Sequence, residues 1–408
     1  MKEPKIRFKG FSGEWKRSTL GDLALFSKGS GYSKSDICKE GTPVILYGRM
    51  YTKYQSVFDE IDTFVNPKDN SVVSKGGEVI IPGSGESSED ISLAAMVKNE
   101  GVILGGDLNI LKFNQKVNDP AFMSMAITYS PTRAELSSYS QGKTVVHLRN
   151  SEIAKGTIRY PDILEQNTIV NYVLSLDAQI SASTSRLASL KQMKAASLQA
   201  MFPQEGETVP KVRFKGFDGE WKTRSLNNYA KKRTEKNVNR IYNVTLTNSA
   251  EFGIIDQRQF FDHDISNSEN IDGYFVVRDK DFVYNPRISA SAPVGPINQN
   301  KLGYPGVMSP LYLVFEVKGI NHDFLEIYFH TALWHKYMFD NGNSGARFDR
   351  LTISDDDFMR MPIPDISLAE QQSIASFFTS LDAQIALHTK RLEKLKQIKA
   401  ACLDKMFV

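Results

Sequence analysis

Two stretches of the chain carry an apolar stripe with one rhythm. Ile169, Val173, Leu176, Ile180, Ser183, Leu187 and Leu190 follow at alternating spacings of four and three, and Ile374, Phe378, Leu381, Ile385, His388, Leu392 and Leu395 repeat the series. Such a period of about 3.5 residues is the seam of a coiled coil. Asp162-x-x-Glu165 and Ser367-x-x-Glu370 read as capping boxes at the two helix starts, and Pro203 stops the first helix. Roughly 36 residues at ~1.5 Å rise make each helix about 54 Å long. Each seam requires an apolar partner. The expected one is the other copy, packed antiparallel with a pseudo-twofold relation between the halves; pairing with a second chain is the alternative. Antiparallel packing also brings the two chain ends close together. Ser183 and His388 occupy equivalent seam positions, either fixing the register or merely tolerated near solvent.

The repetition extends beyond the helices. Pro4-Lys5-Ile6-Arg7-Phe8-Lys9-Gly10-Phe11-Ser12-Gly13-Glu14-Trp15-Lys16 returns as Pro210-Lys211-Val212-Arg213-Phe214-Lys215-Gly216-Phe217-Asp218-Gly219-Glu220-Trp221-Lys222. Leu176-Asp177-Ala178-Gln179-Ile180 returns as Leu381-Asp382-Ala383-Gln384-Ile385, and upstream Gly142, Leu148, Ser151 and Pro161 match Gly345, Leu351, Ser354 and Pro364. The stretches between opener and turn, 27–140 and 231–343, are unrelated to each other. Both are strings of short β-type runs broken by Gly, Pro and Asn, as in Glu78-Val79-Ile80-Ile81-Pro82 and Leu311-Tyr312-Leu313-Val314-Phe315. The expected fold is α+β, with a strand-rich domain at 1–160, a long helix at 161–203, a second strand-rich domain at 204–363 and a second long helix at 364–408. One scaffold presents two different heads.

Composition narrows the class. With 408 residues, 41% hydrophobic and 24% charged, the chain reads as a multidomain globular protein. No apolar run reaches the ~20 residues of a membrane span. The charged start, Met1-Lys2-Glu3-Pro4-Lys5, lacks the apolar stretch of a secretory signal. Two separated cysteines, Cys38 and Cys402, fit a reducing cytoplasm and are too few for a thiolate zinc site. A net charge of +3 decides nothing alone.

Catalytic signatures are missing. The sequence holds neither a phosphate-binding G-x-x-x-x-G-K-[ST] loop nor a dinucleotide G-x-G-x-x-G fingerprint. Asn285-Pro286-Arg287 is similar to the Asn-Pro-Pro-aromatic motif of adenine methyltransferases only in its first two positions. His330 and His335 are five apart, not the four that put two metal ligands on one helical face. Asp355-Asp356-Asp357 after Ser354 reads as the acidic first turn of a short helix. No catalytic, cofactor-binding or metal-binding residue is assigned.

Taken in order, opener with Glu14-Trp15-Lys16 or Glu220-Trp221-Lys222, Gly turn, Leu, Pro and Glu165-Gln166 or Glu370-Gln371 entering a long helix, the doubled arrangement resembles the specificity subunit of a Type I restriction–modification system, over essentially the whole chain. The resemblance implies two target-recognition domains, each reading one half of a split asymmetric site in double-stranded DNA. It implies a helix pair acting as a ruler and docking two methyltransferase subunits, with motor–nuclease subunits recruited to the complex. AdoMet, ATP and Mg would belong to those partners, and this chain would be no enzyme. The rival readings are a non-catalytic adaptor whose heads bind proteins, and a self-sufficient restriction–modification enzyme, against which the missing motifs argue.

Base reading requires polar side chains that reach base edges, and duplex holding requires cations on phosphates. The turns Gln141-Gly142-Lys143-Thr144 and Ser344-Gly345-Ala346-Arg347 hold equivalent places, and a glycine there permits close backbone approach to a partner. Lys143, Thr144 and Arg347 are expected near DNA, Arg149 and Arg350 on phosphates, with Lys34, Arg49, Arg258 and Arg287 added; the alternative for each is a solvated surface charge.

Overall fold

The computed structural model of the chain describes residues 3–142, 145–260, 268–343 and 349–408. The fold divides into two compact units, Met1–Thr184 with Lys390–Val408, and Ser185–Thr389. Both long helices are present, Ile163–Ala200 and Leu368–Lys405, each of 38 residues. Each is divided between the two units.

The first unit is built on two five-stranded sheets. One runs Ala24–Lys28, Leu108–Phe113, Glu78–Pro82, Ala95–Val97, Val57–Phe58; the other runs Ile37–Cys38, Phe64–Val65, Thr42–Ile45, Glu100–Leu104, Val73–Lys75. The run Glu78–Pro82 is apolar at successive positions because it is a central strand, buried along its whole length. Helix Pro120–Tyr129 begins on an Asp119 cap with Pro at its first position and is buried nearly all round. The opener lies outside these sheets: Lys16–Thr19 pairs antiparallel with Thr157–Tyr160, the strand leading into the first long helix.

The second unit keeps this frame with another interior. Lys222–Ser225 pairs antiparallel with Pro362–Asp365. Between them lies a four-stranded antiparallel sheet in the order Ala230–Lys232, Leu313–Val317, Phe282–Tyr284, Ile297–Gln299. Two further pairs, Leu246–Ser249 with Gly253–Asp256 and Phe275–Val277 with Gly306–Met308, complete it.

The helices pack antiparallel within each unit, as the stripe implies. In the first, Ile169, Val170 and Val173 share a core with Cys402, Leu403, Met406 and Phe407, and Lys399 donates to Asp177 at 2.5 Å. In the second, Met201 and Phe202 share a core with Ile374, Ala375 and Phe378, and Lys194 donates to Asp382 at 2.6 Å. Repeat-equivalent Asp and Lys thus pair reciprocally. Burial follows the predicted seam through Leu176, Leu190, Leu381, Leu392 and Leu395. Ser183 is buried and His388 half-buried, further in than the near-solvent alternative has them.

The far end of one long helix completes the aromatic cluster around each opener. Phe407 lies 5.6 Å from Phe122, which meets Trp15 edge-on at 5.6 Å. Phe202 stacks on Phe324 at 5.8 Å and meets Trp221 edge-on at 5.7 Å. The chain ends come together as expected, since the Ile6 amide donates to the Lys405 carbonyl at 3.0 Å.

The capping boxes are half right. Asp162 accepts from the Leu164 and Glu165 amides and Ser367 from the Glu370 amide. The two glutamates do not close the box. Each accepts a bidentate guanidinium, Arg7 on Glu165 and Arg213 on Glu370. Such a charge-assisted fork is stronger than one bond to a backbone amide. Buried Gln166 and Gln371 tie head to helix. Gln166 accepts from the Asp119 amide at 2.8 Å and donates to the Pro161 carbonyl at 2.9 Å; Gln371 does the same with Asn321 and Ile366. No helix among the described residues is long and apolar enough to cross a membrane.

Candidate nucleic-acid interface

The turn that ends the first head closes on backbone bonds between Gln141 and His147, at 3.0 and 2.8 Å. Gly142 sits inside it at φ +135, where a Cβ would fall 1.9 Å from the Val145 carbonyl oxygen. The close approach foreseen for this glycine is therefore made to the turn itself. Val146–His147 pairs with Ser84–Gly85, and Leu148 donates to the Gly83 carbonyl at 3.0 Å. Lys143 and Thr144 lie outside the described residues.

Beside this turn opens a cleft of about 590 Å³ whose lining includes Lys28, Gly83, Asp107, His147, Arg149 and Asn150. Gly83 permits the crowding: a Cβ there would lie 2.6 Å from Asp107 Oδ1 and 3.0 Å from Lys28 Nζ. Burial of the Lys28 stem pushes its ammonium below the ordinary lysine range, and Asp107 opposes the shift. His147 Nδ1 is 2.8 Å from Ser84 Oγ, which sets the orientation of its ring. Arg149 is exposed at the start of the helical turn Asn150–Ile153, with no hydrogen bond or ion pair to its guanidinium among the described residues.

The second head has a cleft at the equivalent stretch. His147-Leu148-Arg149 corresponds to Arg350-Leu351-Thr352, and Arg350, Leu351 and Thr352 line a cleft of about 430 Å³ with Lys232, Tyr284, Tyr312 and Asp355. Its turn closes on paired 2.8 Å bonds between Asn343 and Thr352. Arg347 lies outside the described residues. The basic residue has moved: the counterpart of Arg149 is Thr352, and that of Arg350 is His147. The same frame thus offers different polar groups at matched places.

Arg350 and Arg287 stand opposite each other in an antiparallel bridge flanked by Leu351 N–H to the Pro286 carbonyl at 2.9 Å and Ile288 N–H to the Asp349 carbonyl at 3.1 Å. Like charges directly opposite are destabilising on their own. Asp349 lies 3.7 Å from Arg350 Nε, and that nitrogen has no hydrogen-bond partner. Two residues far apart in sequence and both expected at DNA are therefore neighbours.

Asn285 holds the bridge in place. Its Nδ2 donates to the Asn248 carbonyl at 2.9 Å, and its Oδ1 accepts from the Arg287 amide at 3.0 Å. Asn285-Pro286-Arg287 is thus part of the head's framework. Asp355-Asp356-Asp357 opens a short helix, Asp355–Met359, capped by Ser354 as expected.

The other candidates do not line either cleft. Lys34 is exposed on the turn Lys34–Asp36, and Arg258 is exposed in Gln257–Phe260. The Arg49 side chain is 11% exposed; its guanidinium pairs with Asp62, donates to the Glu60 carbonyl at 3.1 Å and lies 5.5 Å from the centre of the Phe58 ring. These bonds make it a brace for its own loop. Lys28, Asp107, His147 and Lys232 escaped the sequence reading. Lys28 and Asp107 belong to strand-end positions remote from the turn, and no local pattern ties them to it.

The model of the Type I restriction modification DNA specificity domain matches residues 12–192 and again 219–397. The Type I restriction–modification system S subunit from M. genitalium is similar over 100% of this chain and 99% of its own, at 13% identity and a TM-score of 0.58. The HsdS subunit from Thermoanaerobacter tengcongensis is similar over 96% of each chain, at 16% identity and a TM-score of 0.48. At these identities the structural likeness concerns the fold. No curated protein matches the sequence. With the family match covering most of both halves, the chain belongs to the specificity subunits of Type I restriction–modification systems.

Proposed function

We propose that the chain reads a bipartite, asymmetric DNA site, one half-site per head, and directs partner subunits to it without catalytic groups of its own. The observation that carries this reading is a shared frame with unlike interiors: two five-stranded sheets in one head, a four-stranded sheet with two strand pairs in the other. Heads that differ this much suit two different half-sites, and one pair of helices suits a fixed separation.

In this reading Arg149 holds phosphate at the first cleft, and Arg287 with Arg350 clamps a phosphate at the second. Lys143, Thr144 and Arg347 act from the turns beside them, and Lys34 and Arg258 add peripheral phosphate contacts. Two methyltransferase subunits dock on the helices and bring AdoMet; motor–nuclease subunits bring ATP and Mg chemistry. The assembly works in the cytoplasm, on the host genome and on incoming DNA.

The test is long-read mapping of methylated adenines in cells carrying the intact system, then again with residues 231–343 replaced by the corresponding stretch of another specificity subunit. The expected result is a split motif in which one half alone changes. A motif altered in both halves, or in neither, overturns the assignment of heads to half-sites. Absence of salt-dependent duplex binding by the complex would favour a protein-binding adaptor instead.

A further inference from the structure

Residues 237–242 of the second head form a loop that none of the preceding roles uses. Asn237 is buried and clasps the loop shut: its Nδ2 donates to the Tyr242 carbonyl at 2.8 Å and its Oδ1 accepts from the Tyr242 amide at 3.0 Å. Its backbone amide is anchored on the Tyr274 carbonyl at 2.9 Å. Within this clasp two consecutive non-glycine residues adopt the left-handed region, Asn239 at φ +69 and Arg240 at φ +54. Positive φ at Arg240 is uncommon for a side chain of its size, and such conformations persist only where surrounding bonds enforce them.

The clasp sets two aliphatic side chains in water. Val238 is 60% exposed and Ile241 is 71% exposed, either side of the left-handed pair. Two nearby acidic groups are paired, Asp272 with Arg240 at 2.7 Å and Glu235 with Arg278 at 2.9 Å. Lys236, next to the clasp and bridged to Phe275 of the second cleft, is exposed and makes no ion pair among the described residues. The tip is therefore apolar, held by its clasp, and adjoined by the free cation of Lys236. A buried protein interface disfavours unpaired lysines at its edge less than its centre, but a polyanion rewards them directly. DNA accepts both features at once, because aliphatic side chains enter between base steps while cations meet the adjoining phosphates.

We infer that the Val238–Ile241 tip is an apolar wedge that presses on base steps of the half-site read by the second head, with Lys236 on a neighbouring phosphate. The inference rests on the proposed DNA-reading function and adds a mode of recognition to it: sequence preference through the ease of unstacking, at steps that no polar side chain touches.

The test uses the full chain assembled with its methyltransferase subunits and a duplex carrying the motif that the wild-type complex methylates. 2-Aminopurine is placed in turn at each step of the second half-site. The wild-type complex is expected to raise its fluorescence at one step. The double substitution Val238→Ser with Ile241→Ser is expected to abolish that rise and to weaken binding about tenfold, in line with the loss of one base contact of this kind. Lys236→Ala is expected to keep the rise and to lower the salt slope by about one. Both positions are exposed, so thermal melting should not change.

Unaltered fluorescence and affinity in the double variant overturn the wedge. So does loss of methyltransferase assembly with duplex binding intact, which would make the tip a protein contact. If the wild-type complex methylates no motif, it is the DNA-reading function that fails, a separate outcome.

Discussion

Arg7 grips Glu165 with two bonds, Nε to Oε1 and Nη2 to Oε2, both at 2.8 Å, and the glutamate side chain is 1% exposed. Arg213 and Glu370 repeat the grip in the other half at 2.7 and 2.9 Å. Each opener is thereby fastened to the first turn of the long helix that follows its own head. Arg7→Ala leaves a buried carboxylate without its counter-charge and should cost about 3 kcal/mol. Calorimetric melting should show a lowered transition for the first unit. A matched Arg7→Ala with Glu165→Gln should recover part of the loss; equal melting of wild type and Arg7→Ala refutes the account.

Phe407 and Phe202 offer a comparison between the heads. Each fills an aromatic cluster around an opener tryptophan, and truncation to alanine should cost about 3–5 kcal/mol. Hydrogen exchange followed by mass spectrometry should show Phe407→Ala loosening Pro120–Tyr129 and Phe202→Ala loosening His322–Phe329. Loosening of both helices by either variant would contradict the separate cores.

Arg149, Arg350 and Arg49 should separate by salt dependence. Arg149→Ala and the pair Arg287→Ala with Arg350→Ala are each expected to weaken binding to the cognate duplex and to reduce the slope of log K on log salt by about 0.9, one phosphate per cleft. Arg49→Ala should leave the slope unchanged and instead lower thermal stability, since its bonds to Asp62 and Glu60 are internal. An unchanged slope in the double variant Arg287→Ala with Arg350→Ala would remove the phosphate clamp.

Asp36 gives a prediction in pH. The Lys68 ammonium at 2.8 Å, followed by the Ser33 amide at 2.7 Å, holds its carboxyl down to about 2. A depressed carboxyl stabilises the folded loop above the ordinary aspartate range, near 3.8, and that contribution disappears as pH falls through about 2. Carboxyl-carbon NMR titration should show the low inflection, and Lys68→Ala should return it toward 3.8. An inflection that ignores the lysine would refute the cause.

Lengthening both long helices by one heptad adds ~10 Å of rise, which corresponds to roughly one to three base pairs of spacer. Methylation mapping of such a strain should return the same half-sites further apart. An unaltered spacer would rule out the helices as the ruler.

The sequence made the frame legible because it is written twice. The four-three stripe gave the helices and their antiparallel partner, and Pro161 and Pro364 marked the approach to the two helix starts. It misread Glu165 and Glu370, whose local spacing fits a capping box, because the arginines that claim them lie more than a hundred residues away. The clefts were legible only at the turn. Arg149 and Arg350 could be named from their place beside the repeated glycine, whereas Lys28 and Asp107 reach the site through strand pairings that leave no local mark. Arg49 looked like a free cation because its acidic partner, Asp62, is separated from it by a loop.

The core of the first unit draws on Cys402, Leu403, Met406 and Phe407, more than two hundred residues along the chain from the rest of that core, whereas the second unit is one continuous stretch. During synthesis the usual order of N-terminal before C-terminal folding is therefore inverted. The first head waits, with the pocket around Phe122 and Trp15 unfilled, while the second can finish. A chain synthesised only as far as Thr389 would hold every residue of the second unit while the apolar socket around Phe122 and Trp15 still lacked Phe407.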